Sequence, residues 1–371
     1  MEDLTQFKTS IFVYHTGSVI FNELTNQAFR CSPEDEQLLA RLSVAPSSLS
    51  ALSAADPDPR LPGRVGQLVE ARLLVPVSHD ESGQFALRRV DIETCRQCNA
   101  RCLYCPQSVA PKTRGVMTPE LFAHILSALG EARPQWVALN HYGEPLIDPH
   151  FRERVQLLRE RQLPLHLFTN GTLLKDSLIE FLSDGGMFAT VFNFPSLDPA
   201  EWCGLMQMTE KSYWKARRGI ESYLAAGGGQ SPVSISVNAH TDNQFERAER
   251  IAEHFSAFGR IEVFLEDSNS RASSVENSLV RIDSRSARRR FGGCERIVNH
   301  LHVSWEGKAF LCCQDYEQRV VLGDLTRESI ASIMSSETAR RLRAEIFGLS
   351  PMSPGSLCLN CNKLRSSRFP A

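Results

Sequence analysis

The sequence predicts an α/β protein built around a partial barrel of six β-α units, with a smaller unit at each end. Three observations predict it. The chain has 371 residues, 42% hydrophobic and 23% charged, enough for a large core shared among two or three domains. Between residue 88 and about 267, strand-like and helix-like patterns alternate. Cysteines crowd just after the first of those strands, as "CRQCNARCLYCPQS" at 95–108, and again towards the C-terminus.

Composition narrows the function classes. The 41 Lys and Arg are matched by 43 Asp and Glu, so no global basic field points to nucleic acid. The one dense basic run, "RSARRR" at 285–290, reads as a solvated loop. The eleven cysteines are too few and too uneven for a secreted disulfide scaffold, and no signal peptide or long apolar run appears. The expectation is a reducing, cytoplasmic location with neither membrane nor nucleic-acid partner.

Residues 11–78 read as a small unit of their own, within a first domain at 1–85. "IFVYHTGSVIFN" offers two short strands around a Thr-Gly-Ser turn. "CSPEDEQLLARL" starts a helix, with Ser32 as N-cap, Pro33 at the first helical position and acids in the first turn. A linker-like "SAADPDPRLPG" follows, then "RVGQLVEARLLVPV", a helix running into a strand. This order resembles a winged helix, specifically the small peptide-binding domain of the chaperone of pyrroloquinoline quinone synthesis. That domain also occurs fused to enzymes that modify ribosomally made peptides. A packing appendage that binds nothing is the alternative.

The second domain is expected at 86–285. Its strand-like runs are "RRVDIET", "QWVALNHYGE", "PLHLFTNG", "FATVFNFP", "PVSISVNA" and "RIEVFLED", and "TPELFAHILSALGEAR" shows the helical spacing between them. Repeated β-α units imply a parallel sheet with right-handed crossovers. Six are fewer than a closed eight-stranded barrel needs, so a partial, TIM-like (β/α)6 barrel with its chemistry at the carboxyl ends of the strands fits. The third domain, 286–371, is small and cysteine-rich, and "SNSRASSVENS" at 268–278 and the tail after Cys361 read as loops.

The first cysteine cluster has two C-x-x-C pairs, Cys95 with Cys98 and Cys102 with Cys105. A four-thiolate zinc site is the obvious competitor, although only three residues separate the pairs and structural zinc sites use longer insertions. Tight spacing of this kind suits iron-sulfur ligation, and Cys98, Cys102 and Cys105 form C-x3-C-x2-C with Cys95 still on the first strand.

"CNARCLYC", with Tyr104 before the last cysteine, resembles the radical S-adenosylmethionine (SAM) superfamily. The resemblance implies a 4Fe-4S cluster held by Cys98, Cys102 and Cys105, whose open iron binds S-adenosylmethionine, and cleavage of that cofactor to a 5′-deoxyadenosyl radical. "HYGEP" at 141–145 resembles the family's Gly-Gly-Glu motif, with Tyr142 in place of the first glycine and Gly143 and Glu144 carried over to meet the methionine amino group. "FTNGT" at 168–172 resembles the third-strand terminus, which brings in Thr169 and Asn170. "SLD" at 196–198 resembles the fourth, where Ser196 would reach the ribose.

Further on, twelve residues lie between Cys294 and Gly307, four between Gly307 and Cys312, and "CLNC" adds Cys358 and Cys361. This resembles the SPASM and twitch extensions, and implies that Cys294, Cys312, Cys358 and Cys361 hold one auxiliary 4Fe-4S cluster, since the further cysteines of a two-cluster SPASM domain are not present. A tetrahedral zinc site is the competitor here too. "VVLGDLTRESIASIMSSETARRLRAEIF", at 320–347, matches the family's helix. Cys31, Cys95, Cys203 and Cys313 remain, each by default a small buried hydrophobe. Cys313 stands where sulfatase-maturing relatives carry an aspartate base, with Asp315 two positions on, so Cys313 as hydrogen donor and Asp315 as base are the catalytic candidates. The function expected is hydrogen abstraction from a substrate C–H, in a precursor peptide or else in an aminocyclitol or sugar, with flavodoxin or ferredoxin as reductant.

Overall fold

The computed structural model describes residues 5–16, 19–111, 114–239, 243–267, 271–272, 292–361 and 368–369. The basic run at 285–290, the expected domain boundary at 285, Gly17 and Ser18 of the first turn, and most of the loops at 268–278 and after Cys361 lie outside these residues. No helix among the described residues is long and apolar enough to cross a membrane.

The N-terminal unit has two three-stranded sheets. Strands β1 (Gln6–Thr9), β5 (Ser47–Ser48) and β6 (Leu74–Pro76) pair in the order β5-β1-β6, and β2 (Val13–Thr16), β3 (Val19–Asn22) and β4 (Gln27–Phe29) pair antiparallel in sequence order. Helices α1 (Pro33–Val44), α2 (Leu49–Ala55) and α3 (Leu61–Glu70) complete it. Ser32 caps α1 as expected, its Oγ accepting from the Asp35 amide at 3.1 Å, a contact of about 1 kcal/mol. The expected linker is helical at both ends: Ser48 caps α2, Pro62 stands in the first turn of α3, and 56–60 alone join them. The two sheets and three helices share one core that includes Phe7, Val13, Ile20, Leu39, Val65 and Leu74. Phe369 packs against it, and Arg368 accepts from the His15 amide at 2.8 Å.

Six parallel strands follow in sequence order: β7 (Arg89–Ile92), β8 (Trp136–Ala138), β9 (Leu165–Thr169), β10 (Met187–Asn193), β11 (Val233–Ala239) and β12 (Glu262–Asp267). They match the six strand-like runs. Between them come α4 (Pro119–Ala132), α5 (Phe151–Glu160), α6 (Asp176–Ser183), α7 (Pro199–Met206), α8 (Glu210–Ala225) and α9 (Gln244–Ser256). In α4, Phe122, Ile125, Leu126 and Leu129 recur at helical spacing and are all fully buried, each stabilising the fold by roughly 2 kcal/mol through burial. Period two then sorts the strands. Val90, Ile92, Leu165 and Leu167 join the helix-facing core, which leaves Arg89, Asp91, His166 and Phe168 for the barrel interior.

The C-terminal unit joins the barrel as an extension of its sheet. After α10 (Arg296–Asn299), β13 (His300–Val303) pairs parallel with β7, His302 opposite Asp91. Strands β14 (Lys308–Phe310) and β15 (Val321–Asp324) continue antiparallel, giving nine strands ordered β12-β11-β10-β9-β8-β7-β13-β14-β15. The edge of β7 is thereby covered, as an apolar edge must be. Gly307 turns the β13-β14 hairpin at φ +85°. The stretch at 320–347, expected as a helix, opens with β15 and only then forms two helices, α11 (Ile330–Ser335) and α12 (Glu337–Ile346), because Ser336 ends the first and caps the second.

Candidate active site

A cavity of about 220 Å³ opens at the carboxyl ends of the barrel strands. Cys98, Cys102 and Cys105 line it from the loop after β7. That loop is held by its own backbone: the Arg101 and Leu103 amides donate to Met206 and Leu205 at the end of α7, at 3.1 and 2.9 Å, and the Arg96 amide to Gly115 at 2.9 Å. Burial pushes the Cys98 thiol up to about 12 and raises Cys102 and Cys105 as well. Three desolvated thiols, with Cys98 and Cys102 raised further by their cysteine neighbours, gain most by giving up their protons to a metal, so the donor set fits an iron-sulfur cluster. Cys95 is no part of it. It is 1% exposed, bridges antiparallel to Val116, and its Sγ accepts from the Gln97 amide at 3.4 Å.

Gly143 and Glu144 face the thiols from the end of β8. A side chain at Gly143 would collide with the Cys95 carbonyl and stand 3.1 Å from that of Gln97, while the Glu144 amide donates to the Gln97 carbonyl at 2.8 Å. The glycine is therefore required by the approach of two loops. Glu144 is 3% exposed, and burial raises its carboxyl to about 7 against the lowering effect of its hydrogen bonds. Two come from β9 and the turn after it, Thr169 Oγ1 donating at 2.7 Å and the Asn170 amide at 2.9 Å, and the Leu146 amide adds a third at 3.2 Å. Asn170 Nδ2 also donates to Asn99 in the cysteine loop at 2.9 Å. Thr169 and Asn170 line the cavity, and their bonds orient Glu144 and the loop.

Tyr104 lines the cavity, its hydroxyl donating to Asn193 Oδ1 at 3.1 Å. Ser196 does not reach it. Its Oγ donates to Glu201 at 2.5 Å and accepts from the Asp198 amide at 3.0 Å, so it shapes the start of α7. The strand pleat places Asn193 on the cavity instead, because Phe192 and Phe194 take the helix-facing side. Asp315 is likewise turned away. It is fully buried, and its two oxygens accept from the Arg319 and Val320 amides at 3.0 and 2.9 Å, closing its own loop, which corrects its assignment as a base. Cys313 does line the cavity, and its carbonyl accepts from the Tyr142 hydroxyl at 2.5 Å.

Cys294, Cys312, Cys358 and Cys361 surround a second, small cavity. Burial first, and then the neighbouring thiols of the set, push Cys294 to about 11 and Cys358 to about 12. Four thiols around one small cavity again fit an iron-sulfur centre. Arg296 lines this cavity and hydrogen-bonds Cys313 on the other. Burial opposes its charge, but Cys313, Cys294 and Cys312 outweigh that and raise its pKa.

Residues 92–254 match the radical SAM superfamily, and residues 294–362 match SPASM, an iron-sulfur cluster-binding domain. The chain carries a radical SAM domain followed by a SPASM domain. This radical SAM protein is accordingly an iron-sulfur enzyme that uses a 4Fe-4S cluster and S-adenosylmethionine, with auxiliary iron-sulfur in its SPASM domain. It is 30% identical over 112 residues to the tungsten-containing aldehyde ferredoxin oxidoreductase cofactor-modifying protein of Pyrococcus furiosus, covering 30% of this chain and 31% of that protein. It thus spans about a third of that relative. It is 22% identical over 281 residues to the S-adenosyl-L-methionine-dependent 2-deoxy-scyllo-inosamine dehydrogenase of Niallia circulans, covering 74% of this chain and 92% of that protein. Among solved structures, Streptococcus suis SuiB bound to precursor peptide SuiA shares the fold at a TM-score of 0.58 and 11% identity, over 98% of this chain and 94% of that one.

Other cavity residues carry no motif that sequence reasoning used: Asn140 after β8, Asn193 on β10, Ser236 and Asn238 on β11, and Glu266 on β12. Period two along β10 to β12 was the available signal. Below the cavity, Asp91, His300 and His302 bring their donor atoms within 4.8 Å of one another. Arg89 already forks onto Asp91 at 2.7 and 2.9 Å and sits 4.5 Å over the Trp136 ring, so a guanidinium takes the place a cation would have. Burial holds both histidines neutral.

Proposed function

We propose that this radical SAM enzyme modifies a ribosomally made peptide and that residues 1–85 grip its leader. The observation that carries the reading is coverage. The fold shared with a peptide-bound enzyme extends over 98% of this chain, against 74% for the alignment with the aminocyclitol dehydrogenase. The N-terminal sheet supports it. Its β2 edge receives Arg368, whereas β4 is an edge strand with Gln27 and Ala28 exposed, where a peptide could add as a further strand.

We assign Cys98, Cys102 and Cys105 to the 4Fe-4S cluster, Glu144 to the amino group of S-adenosylmethionine, and Cys294, Cys312, Cys358 and Cys361 to one auxiliary cluster. When bound, the cluster and S-adenosylmethionine supply a 5′-deoxyadenosyl radical able to take hydrogen from an unactivated C–H. The chain supplies position and exclusion of water. Glu144, fixed by Thr169 and Asn170, offers a carboxylate to an amine in a dry site, where a charge-assisted bond is strong. Tyr104 and Phe168 wall the cavity. Cys313 faces it from the auxiliary side and is placed to give its thiol hydrogen to a substrate radical. Flavodoxin or ferredoxin is the class of reductant this chemistry needs.

Anaerobic protein reduced with dithionite should form 5′-deoxyadenosine from S-adenosylmethionine, and a peptide encoded beside the gene should change mass. The second reading, a small-molecule dehydrogenase, draws on the 92% coverage of the inosamine dehydrogenase. It takes over if 2-deoxy-scyllo-inosamine is oxidised and neighbouring peptides are inert.

Glu144 adds a pH dependence. Its folded pKa, about 7, lies above that of an unfolded carboxyl. Ionising it therefore costs stability progressively as pH rises from the ordinary carboxylate range to about 7, and the cost is constant above. An amine donating to the carboxylate favours the ionised form, so cofactor binding should weaken below that point by up to roughly tenfold per pH unit. Calorimetry from pH 5.5 to 8.5 should show this slope, and a Glu144→Gln variant should lose it; a slope surviving in the variant assigns it elsewhere.

A further inference from the structure

We propose that Glu266 and Arg271 form the substrate subsite of the cavity, taking a neutral amide next to the reacting C–H, its carbonyl on Arg271 and its N–H on Glu266. The proposal rests on the peptide reading above and names the group recognised.

The cavity is lined by two unlike sets of residues. The cysteine loop and the segments after β8 and β9 carry the thiols, Gly143, Glu144, Thr169 and Asn170, the residues assigned to the cluster and S-adenosylmethionine. Strands β11 and β12 bring Ser236 and Glu266 to the same cavity, and Arg271 joins them with its charge acting on both Cys105 and Cys313. Ser236 Oγ donates to Glu266 Oε2 at 2.9 Å and Arg271 Nη2 to Glu266 Oε1 at 3.4 Å. The guanidinium carbon lies 5.9 Å from the centre of the Tyr142 ring, whose hydroxyl is bonded to the Cys313 carbonyl. Arg271 and Ala272 have φ of +46° and +51°. Two successive side-chain-bearing residues in the left-handed region are strained, and such strain gathers where a side chain must be held for function.

The sign of the pair selects the ligand. A carboxylate would meet Arg271 with Glu266 beside it, and an ammonium the reverse, so an ion gains from one partner and loses to the other. An amide presents an acceptor and a donor side by side and suits both. Glu266 on β12 and Arg271 beyond it thus read the substrate within the cavity that Cys313 also lines.

The test uses full-length protein with its clusters reconstituted, and acetylated, amidated hexapeptides covering the twenty residues as probes. Peptides that stimulate 5′-deoxyadenosine formation should need at least tenfold higher concentration for half-maximal effect in Arg271→Gln and in Glu266→Gln, with Arg271→Lys between. Spectra of the reduced cluster with S-adenosylmethionine alone give the second readout. If Arg271→Gln erases the cofactor-induced change, Arg271 belongs to the cofactor and the subsite is overturned. It is also overturned if peptides stimulate the wild type but both variants shift by less than threefold. If no peptide stimulates while 2-deoxy-scyllo-inosamine does, the peptide reading itself fails and the amide subsite with it.

Discussion

Replacing Gly143 by alanine will cut S-adenosylmethionine cleavage by about 100-fold or more, the scale expected when a reacting group moves by about 1 Å. The new methyl would fall on the Cys95 carbonyl and stand 3.1 Å from the Gln97 carbonyl. Neither is a flexible side-chain end; both are backbone of the loop that carries Cys98, Cys102 and Cys105. Either that loop or the turn bearing Glu144 has to retreat, and the Gln97–Glu144 backbone bond of 2.8 Å joins the two. The thiols and the carboxylate would then separate. The measurement is 5′-deoxyadenosine formed per minute by anaerobic enzyme with normal iron content. Activity within threefold of wild type would show that the close approach is unimportant.

Cys98→Ala will remove the cofactor-cleaving cluster, leaving auxiliary iron alone and no detectable 5′-deoxyadenosine, because two thiolates hold a four-iron cube poorly. Cys95→Ala will keep both the cluster and cleavage within about threefold and cost roughly 1 kcal/mol from a small packing loss. The contrast follows from where the structure puts them. Cys98 lines the cavity with Cys102 and Cys105, while Cys95 is paired with Val116 and receives the Gln97 amide. Iron counts and the spectrum of the reduced protein separate the outcomes, and the reverse pattern would transfer the ligand role to Cys95.

By itself the sequence determined the barrel, the cysteine loop and their meeting point. Period-two runs at 88–267 specify strands and the helical spacing between them specifies crossovers, both written within a few turns of chain. Cys98, Cys102, Cys105 and Glu144 were singled out by resemblance of "CNARCLYC" and "HYGEP" to known motifs, and the structure brings all four to one cavity because in parallel β-α units the loops after the strands open on one face. Only the tertiary structure decided which nearby polar groups reach the cavity. Ser196 and Asp315 sit at plausible spacings, yet both spend their bonds on their own turns, and Asn193 takes the place expected for Ser196. The pairing of β13 with β7, the contact of Gly143 with Cys95 and the joining of Glu266 with Arg271 also depended on the folded chain. The physical reason is that a periodic pattern follows from backbone geometry alone, whereas whether a loop side chain bonds its own turn, as Ser196 and Asp315 do, or a distant element, as Glu144 does, is settled only when the loop packs.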